Sequence, residues 1–174
     1  MKKFYGACAA VLLSLLFVFA GCKANGSKVF KYLKAEQNFV GNPTYNGGKY
    51  TASFTVKDDL SYSLSVSDEY DSALKDYSAE GTKMEYLGQR SDSGSYTSWG
   101  VTVGWTTYMH IVKLPEATVE KYGNTLAFYL LAESDSKHGD ITMLKLVVKP
   151  AAYGENDIGN FEISVYGGYA LKKA

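Results

Sequence analysis

From residue 30 to the C-terminus the sequence predicts an all-β fold, an antiparallel β-sandwich of about eight or nine short strands with one or two short helical turns. Three observations lead there. In LSYSLSVS, Leu60, Tyr62, Leu64 and Val66 fall on one face and Ser61, Ser63, Ser65 and Ser67 on the other, the pattern of a half-buried strand with a wet serine side. Runs of this kind recur along the chain with turn residues between them, whereas helical signals are few and short. Only three prolines occur, at 43, 115 and 150, and no linker, charge block or repeat divides residues 30–174, so one domain is expected. Short strands with regular turns also fit a closed, lipocalin-like β-barrel, the alternative architecture.

Taken in order, strands are expected at 29–34, 49–56, 60–67, 83–88, 96–105, 107–114, 125–133, 141–149 and 161–171. In the second, Tyr50, Ala52, Phe54 and Val56 form an apolar face. A two-residue loop at Asp58 and Asp59 would send this face and that of the next strand to opposite sides of the sheet. Opposing Val56 to Leu60 and Phe54 to Tyr62 keeps one side dry, with Lys57, Asp58 and Asp59 as the connection. Asp68 fits the cap of a short helix carrying Tyr70, Leu74 and Tyr77 and ended by Gly81. Pro115 is placed to open a second, PEATVEKY, closed by Gly123. Leu126, Phe128 and Leu130 match Leu144, Leu146 and Val148 across the loop SDSKHGD, and the last strand carries Phe161, Ile163 and Val165 on one side.

Ahead of the domain, Met1, Lys2 and Lys3 precede an uncharged run from Phe4 to Cys22. A basic start, an apolar centre and small residues at the far end make a secretory leader. The run is also long enough to span a bilayer, so its length does not decide; its end does. Phe19, Ala20, Gly21 and Cys22 resemble the lipobox of bacterial lipoproteins, with Phe19 where leucine is usual. That resemblance implies a leader over residues 1–21, removed by cleavage, a diacylglycerol on the Cys22 thiol and a lipidated tether over 22–29. Lys23 rather than aspartate follows the cysteine, which permits placement at the outer membrane, with periplasmic and outward faces both open. The other cysteine, Cys8, leaves with the leader, so no disulfide is expected.

Lys2 and Lys3 leave too, so the 18 basic residues fall to 16 against 18 acidic ones, and no nucleic-acid footprint remains. Lys23, Lys28, Lys31 and Lys34 cluster beside the anchor, either as a solvated tether or toward an anionic membrane surface. Enzymatic signals are sparse. His110 reads as a half-buried strand residue and His138 as a loop residue, and no zinc-ligand spacing, nucleophile elbow or phosphate loop occurs. Acidic groups at Asp68, Glu69 and Asp71, at Asp135 and Asp140, and at Glu155 and Asp157 match no ordered calcium loop, so no metal or cofactor is expected beyond the lipid on Cys22. A glycan-active enzyme built on two distant carboxylates has no local signature in its favour.

The stretch GSYTSWGVTVGWTTYMHI holds both tryptophans, Trp99 and Trp105, with Tyr96 and Tyr108 beside them. Read as one strand, it places Trp99, Val101, Val103 and Trp105 on one face and Gly100, Thr102, Gly104 and Thr106 on the other. The bulky face fits a core; exposed, it would supply rigid aromatic area for binding a protein, a glycan or a lipid. All but one of the 15 tyrosines follow Cys22, a composition suited to recognition surfaces. The expected function is a non-catalytic binding module of the bacterial cell envelope, held to the membrane by its lipid and contacting an envelope or host partner. The second reading is a carrier of a small apolar ligand, with a cavity lined by residues such as Tyr62, Leu64, Trp99 and Phe128.

Overall fold

The computed structural model describes residues 29–33, 37–41, 50–134, 136–137, 139–161 and 168–174. The leader, Cys22, Asp135, His138, Ile163 and Val165 lie outside the described residues. A short helix, α1 (29–33), is followed by nine strands: β1 (Gln37–Gly41), β2 (Tyr50–Val56), β3 (Tyr62–Asp68), β4 (Tyr77–Gly81), β5 (Glu85–Ser98), β6 (Val101–Lys121), β7 (Asn124–Ser134), β8 (Ile141–Pro150) and β9 (Tyr169–Lys173). All belong to one antiparallel sheet in the order β4-β3-β2-β1-β9-β8-β7-β6-β5. It consists of two meanders joined where the first strand pairs with the last, Val40 opposite Lys172.

The sheet curls over so that the two meanders face each other as a sandwich. Phe39, Phe54 and Leu64 of the first meander share a core with Leu114, Phe128 and Leu146 of the second, and each of the six is at most 2 % exposed. Three residues, 82–84, connect edge strand β4 to edge strand β5, yet no described ladder joins those edges, so the sheet stays open and the closed-barrel alternative does not hold. Side chains bridge the gap instead. The Glu116 carboxylate accepts from the Thr82 hydroxyl at 2.9 Å, the Tyr77 hydroxyl donates to the Thr118 carbonyl at 3.1 Å, and the Tyr77 ring stacks on Phe128 at 4.9 Å.

A second core lies on the outer face of the C-terminal meander. Leu87, Ile111, Tyr129 and Leu131 pack there under residues 151–161, which include the 3-10 helix Glu155–Asn160. Lys113 Nζ fixes that cover by donating to the carbonyls of Ala151 at 2.6 Å and Tyr153 at 3.2 Å, and Arg90 donates to those of Gly159 at 2.8 Å and Phe161. Being covered on both faces explains why β7 reads LAFYLLA, a continuous apolar run rather than an alternation.

Several local expectations are corrected. Residues 29–33 are helical rather than extended: Val29 and Leu33, four apart and therefore on one helix face, are both fully buried. The β2–β3 loop is Asp58, Asp59 and Leu60, since Lys57 N–H already bonds the Ser61 carbonyl at 2.9 Å, and each expected partner moves on by two residues to make the pairs Val56–Tyr62 and Phe54–Leu64. The dry face survives the change. No helix follows Asp68, because its carboxylate accepts from the Tyr70 N–H at 2.9 Å and Asp71 from the Ala73 N–H at 3.2 Å, local bonds that replace helical ones with turns before β4. PEATVEK, 115–121, is strand: residues 115–117 bulge out of register with β7, and the proline falls where no ladder donor is needed. Phe161 belongs to the covering segment and is not a strand residue, and the described part of the last strand is β9, Tyr169–Lys173.

Candidate functional site

The expected 96–105 strand is instead a hairpin, turned at Trp99 and Gly100. Their φ angles, +53° and +78°, are the pair of left-handed conformations that a two-residue type I′ turn requires. The register runs without a break from Asp92–Thr107 to Ser98–Val101. Among the described residues β7 joins β6 only from Tyr108, opposite Ser134, and these seven pairs bond to each other alone, forming a projecting two-stranded arm.

Alternation divides the arm into two unlike sides. Val101, Val103 and Trp105 face the same way as Gly94 and Tyr96 on the partner strand, with Tyr96 opposite Val103 and Trp105 opposite Gly94. The Trp105 ring lies over that glycine, where an added Cβ would come 2.7 Å from Cζ2. The other side carries hydroxyls, Thr97 and Thr102 bonding across the strands at 2.9 Å. Unlike a core face, the apolar side is open to solvent: Tyr96 is 58 % exposed, Val101 62 %, Trp105 45 % and Trp99, at the tip, 100 %. Tyr108 is half-buried at the base and points to the opposite side from Trp105. Of the four aromatic candidates, the structure gathers Tyr96, Trp99 and Trp105 at the arm's apolar side and tip and separates Tyr108.

The base is tied by side-chain bonds where the arm is exposed. His110 is buried, one ring nitrogen 3.2 Å from the Tyr86 hydroxyl and the other 3.3 Å from Gln89 Nε2, which also donates to the Lys137 carbonyl at 3.2 Å. Burial pushes the Tyr86 hydroxyl up to about 12, so it serves as a neutral hydrogen-bonding group. At the far end of β6, Tyr122 and Gly123 repeat the turn, with φ of +53° and +76°, and Tyr122 is 90 % exposed. Sequence reading missed both turns; the aromatic-glycine dipeptide was the available signal.

Chemically, the arm offers rings, methyls and hydroxyls. No charged side chain occurs between Asp92 and His110, so beyond its first pair, Asp92–Thr107, the arm carries no carboxylate, imidazole or amine. Among the described residues no group of three or more His, Cys, Asp or Glu side chains is placed to hold a metal. The acidic groups have other partners: Asp68 accepts from the Tyr169 hydroxyl at 2.9 Å, Asp71 pairs with Lys121, and Asp157 accepts from the Gly154 N–H at 3.0 Å. Tyr62, Leu64 and Phe128 are packed in the inner core while Trp99 stands at the arm tip, so the four residues named for a carrier's cavity are not brought together.

Fold and site together define an open, curled β-sandwich that carries an aromatic hairpin whose outer six pairs bear no charge. Comparison with protein families, curated proteins and solved structures finds no match.

Proposed function

We propose that this chain is a membrane-anchored bacterial lipoprotein acting as a non-catalytic binding module of the cell envelope, with the β5–β6 arm as its contact surface. The observation that carries the reading is the solvent-open apolar side of the arm, formed by Tyr96, Val101, Val103 and Trp105 and continued by Trp99 at the tip. Large rings held on a preformed hairpin lose little conformational freedom on binding, and in water their apolar area is unsatisfied. The lipobox-like segment ending at Cys22 supports the anchor.

A photo-crosslinking residue at position 103, on the arm, and another at position 70, an exposed tyrosine beside the Asp71–Lys121 ion pair, test this in intact cells. Adducts are expected from position 103 and not from position 70. No adduct at 103, or equal labelling at both, overturns the assignment.

A further inference from the structure

We infer that the occupant of the arm's apolar side is phospholipid: the hairpin inserts its tip and aromatic face into the interfacial layer of the membrane to which the chain is anchored. This deepens the reading above and rests on it. Three observations converge.

The first is charge. From Ser93 to Thr106 the chain has no ionised side chain, although it is exposed on both sides and β5 is an edge strand. Exposed edges are ordinarily protected by charges, lysine above all, which block pairing with other chains. A segment that enters the headgroup and upper acyl region gains from their absence, because a charge there must be desolvated.

The second is composition by side. Tryptophan and tyrosine concentrate at membrane interfaces, where an apolar ring and a polar N–H or O–H are both satisfied. One side of the arm presents Tyr96, Val101, Val103 and Trp105, the other Ser95, Thr97, Thr102 and Thr106, and Trp99 leads at the tip. That is an amphipathic ribbon, apolar toward the acyl chains and hydroxyl-bearing toward headgroups.

The third is placement. α1 packs at the end of the sandwich from which the arm projects: Phe30 meets Tyr86 edge-on at 6.4 Å, and Lys31 and Tyr32 line a pocket of about 320 Å³ with Gly139, Asp140 and Ile141. Ile141 pairs with Ser134, which pairs with Tyr108 at the arm's base. Residues 22–28, between Cys22 and α1, reach about 23 Å when extended. The seven residue pairs of the arm rise about 23 Å beyond its base. A chain tethered at Cys22 therefore holds the arm's tip within reach of the same bilayer.

Trp99 and Trp105 are the only tryptophans of the chain, so intrinsic fluorescence reports on the arm without a label. The experiment reconstitutes the full chain, purified from membranes, into phosphatidylethanolamine–phosphatidylglycerol vesicles, with and without lipids brominated on their acyl chains. Intact mass first establishes whether Cys22 is acylated. A blue-shifted emission, lost with brominated lipid and shielded from aqueous acrylamide, is the expected result, and the Trp105→Phe chain, which keeps the tip alone, is expected to repeat it. Emission typical of water, quenched by acrylamide and insensitive to bromine, overturns the proposal. So does emission that is shielded but bromine-insensitive and dependent on protein density, which would mean that a second copy covers the arm. A chain without the acyl group overturns the anchor instead, and its tryptophans, titrated with the same vesicles, still decide the arm.

Discussion

Replacing Trp99 with asparagine is expected to make the domain more stable. Trp99 holds a left-handed backbone, φ +53°, ahead of Gly100 at +78°. For an L-residue with a bulky side chain that conformation costs about 1–2 kcal/mol. Asparagine tolerates it, and Asn-Gly is the preferred sequence for a type I′ turn. The ring itself offsets nothing within the fold, because a side chain 100 % exposed removes no apolar area from water. The net gain for Trp99→Asn is therefore about 1 kcal/mol, which for a chain of this size raises Tm by about 2–4 °C. Thermal unfolding followed by far-ultraviolet circular dichroism measures it, with Tyr122→Asn as an internal comparison, since that residue has the same φ and is 90 % exposed. A loss of 1 kcal/mol or more for Trp99→Asn would show that the ring makes contacts within the domain and would refute the reasoning. A tryptophan kept at a cost to stability at an exposed tip is one whose use lies outside the fold.

Two further outcomes follow from the cores. Burial pushes the hydroxyls of Tyr62 and Tyr129 up to about 12 from an ordinary value of 10.0, so above pH 10 the unfolded chain releases protons that the folded one keeps. Stability is then level below about pH 10 and falls between about pH 10 and 12, by on the order of 2–3 kcal/mol for each such tyrosine; denaturant midpoints that stay constant across that range would contradict it. Gly81→Ala places a methyl into the Tyr62 ring, which lies directly on that glycine, and is expected to cost about 1–3 kcal/mol. In a Tyr62→Ala background the penalty should disappear, and simple additivity of the two substitutions in a double-mutant cycle would exclude the contact.

The inner faces were legible because their burial is one-sided. Tyr50 to Val56 and Tyr62 to Val66 alternate as the pleat demands, and Phe128 opposite Val148 and Leu130 opposite Leu146 pair with the faces expected of them. What escaped was decided by single backbone conformations. Tryptophan and tyrosine are strong strand formers, so SYTSWGVTVGW reads as one strand, and only a left-handed residue at Trp99 breaks it. The same mistake turned EKYGN into the end of a helix. In α1 the helical period spans little more than one turn, too short to register as a pattern, and at 68–76 side-chain bonds from Asp68 and Asp71 overrule an apparent cap. The aromatic cluster was recognisable as a site by composition alone, but whether it faced core or solvent depended on where β7 stops pairing with β6.

That stopping point also governs how the molecule can change. Because the seven outer pairs of β5 and β6 bond to no third strand among the described residues, residues can be gained or lost there without disturbing the register of the sandwich. Yet the steps are quantised: one residue added to each strand lengthens the arm by about 3.3 Å and reverses every side chain beyond it, whereas two per strand lengthen it and keep Trp105 and Tyr96 on the same side. Descendants of this chain would be expected to vary the arm's length in increments of four residues, a constraint imposed by the pleat and independent of whatever the arm touches.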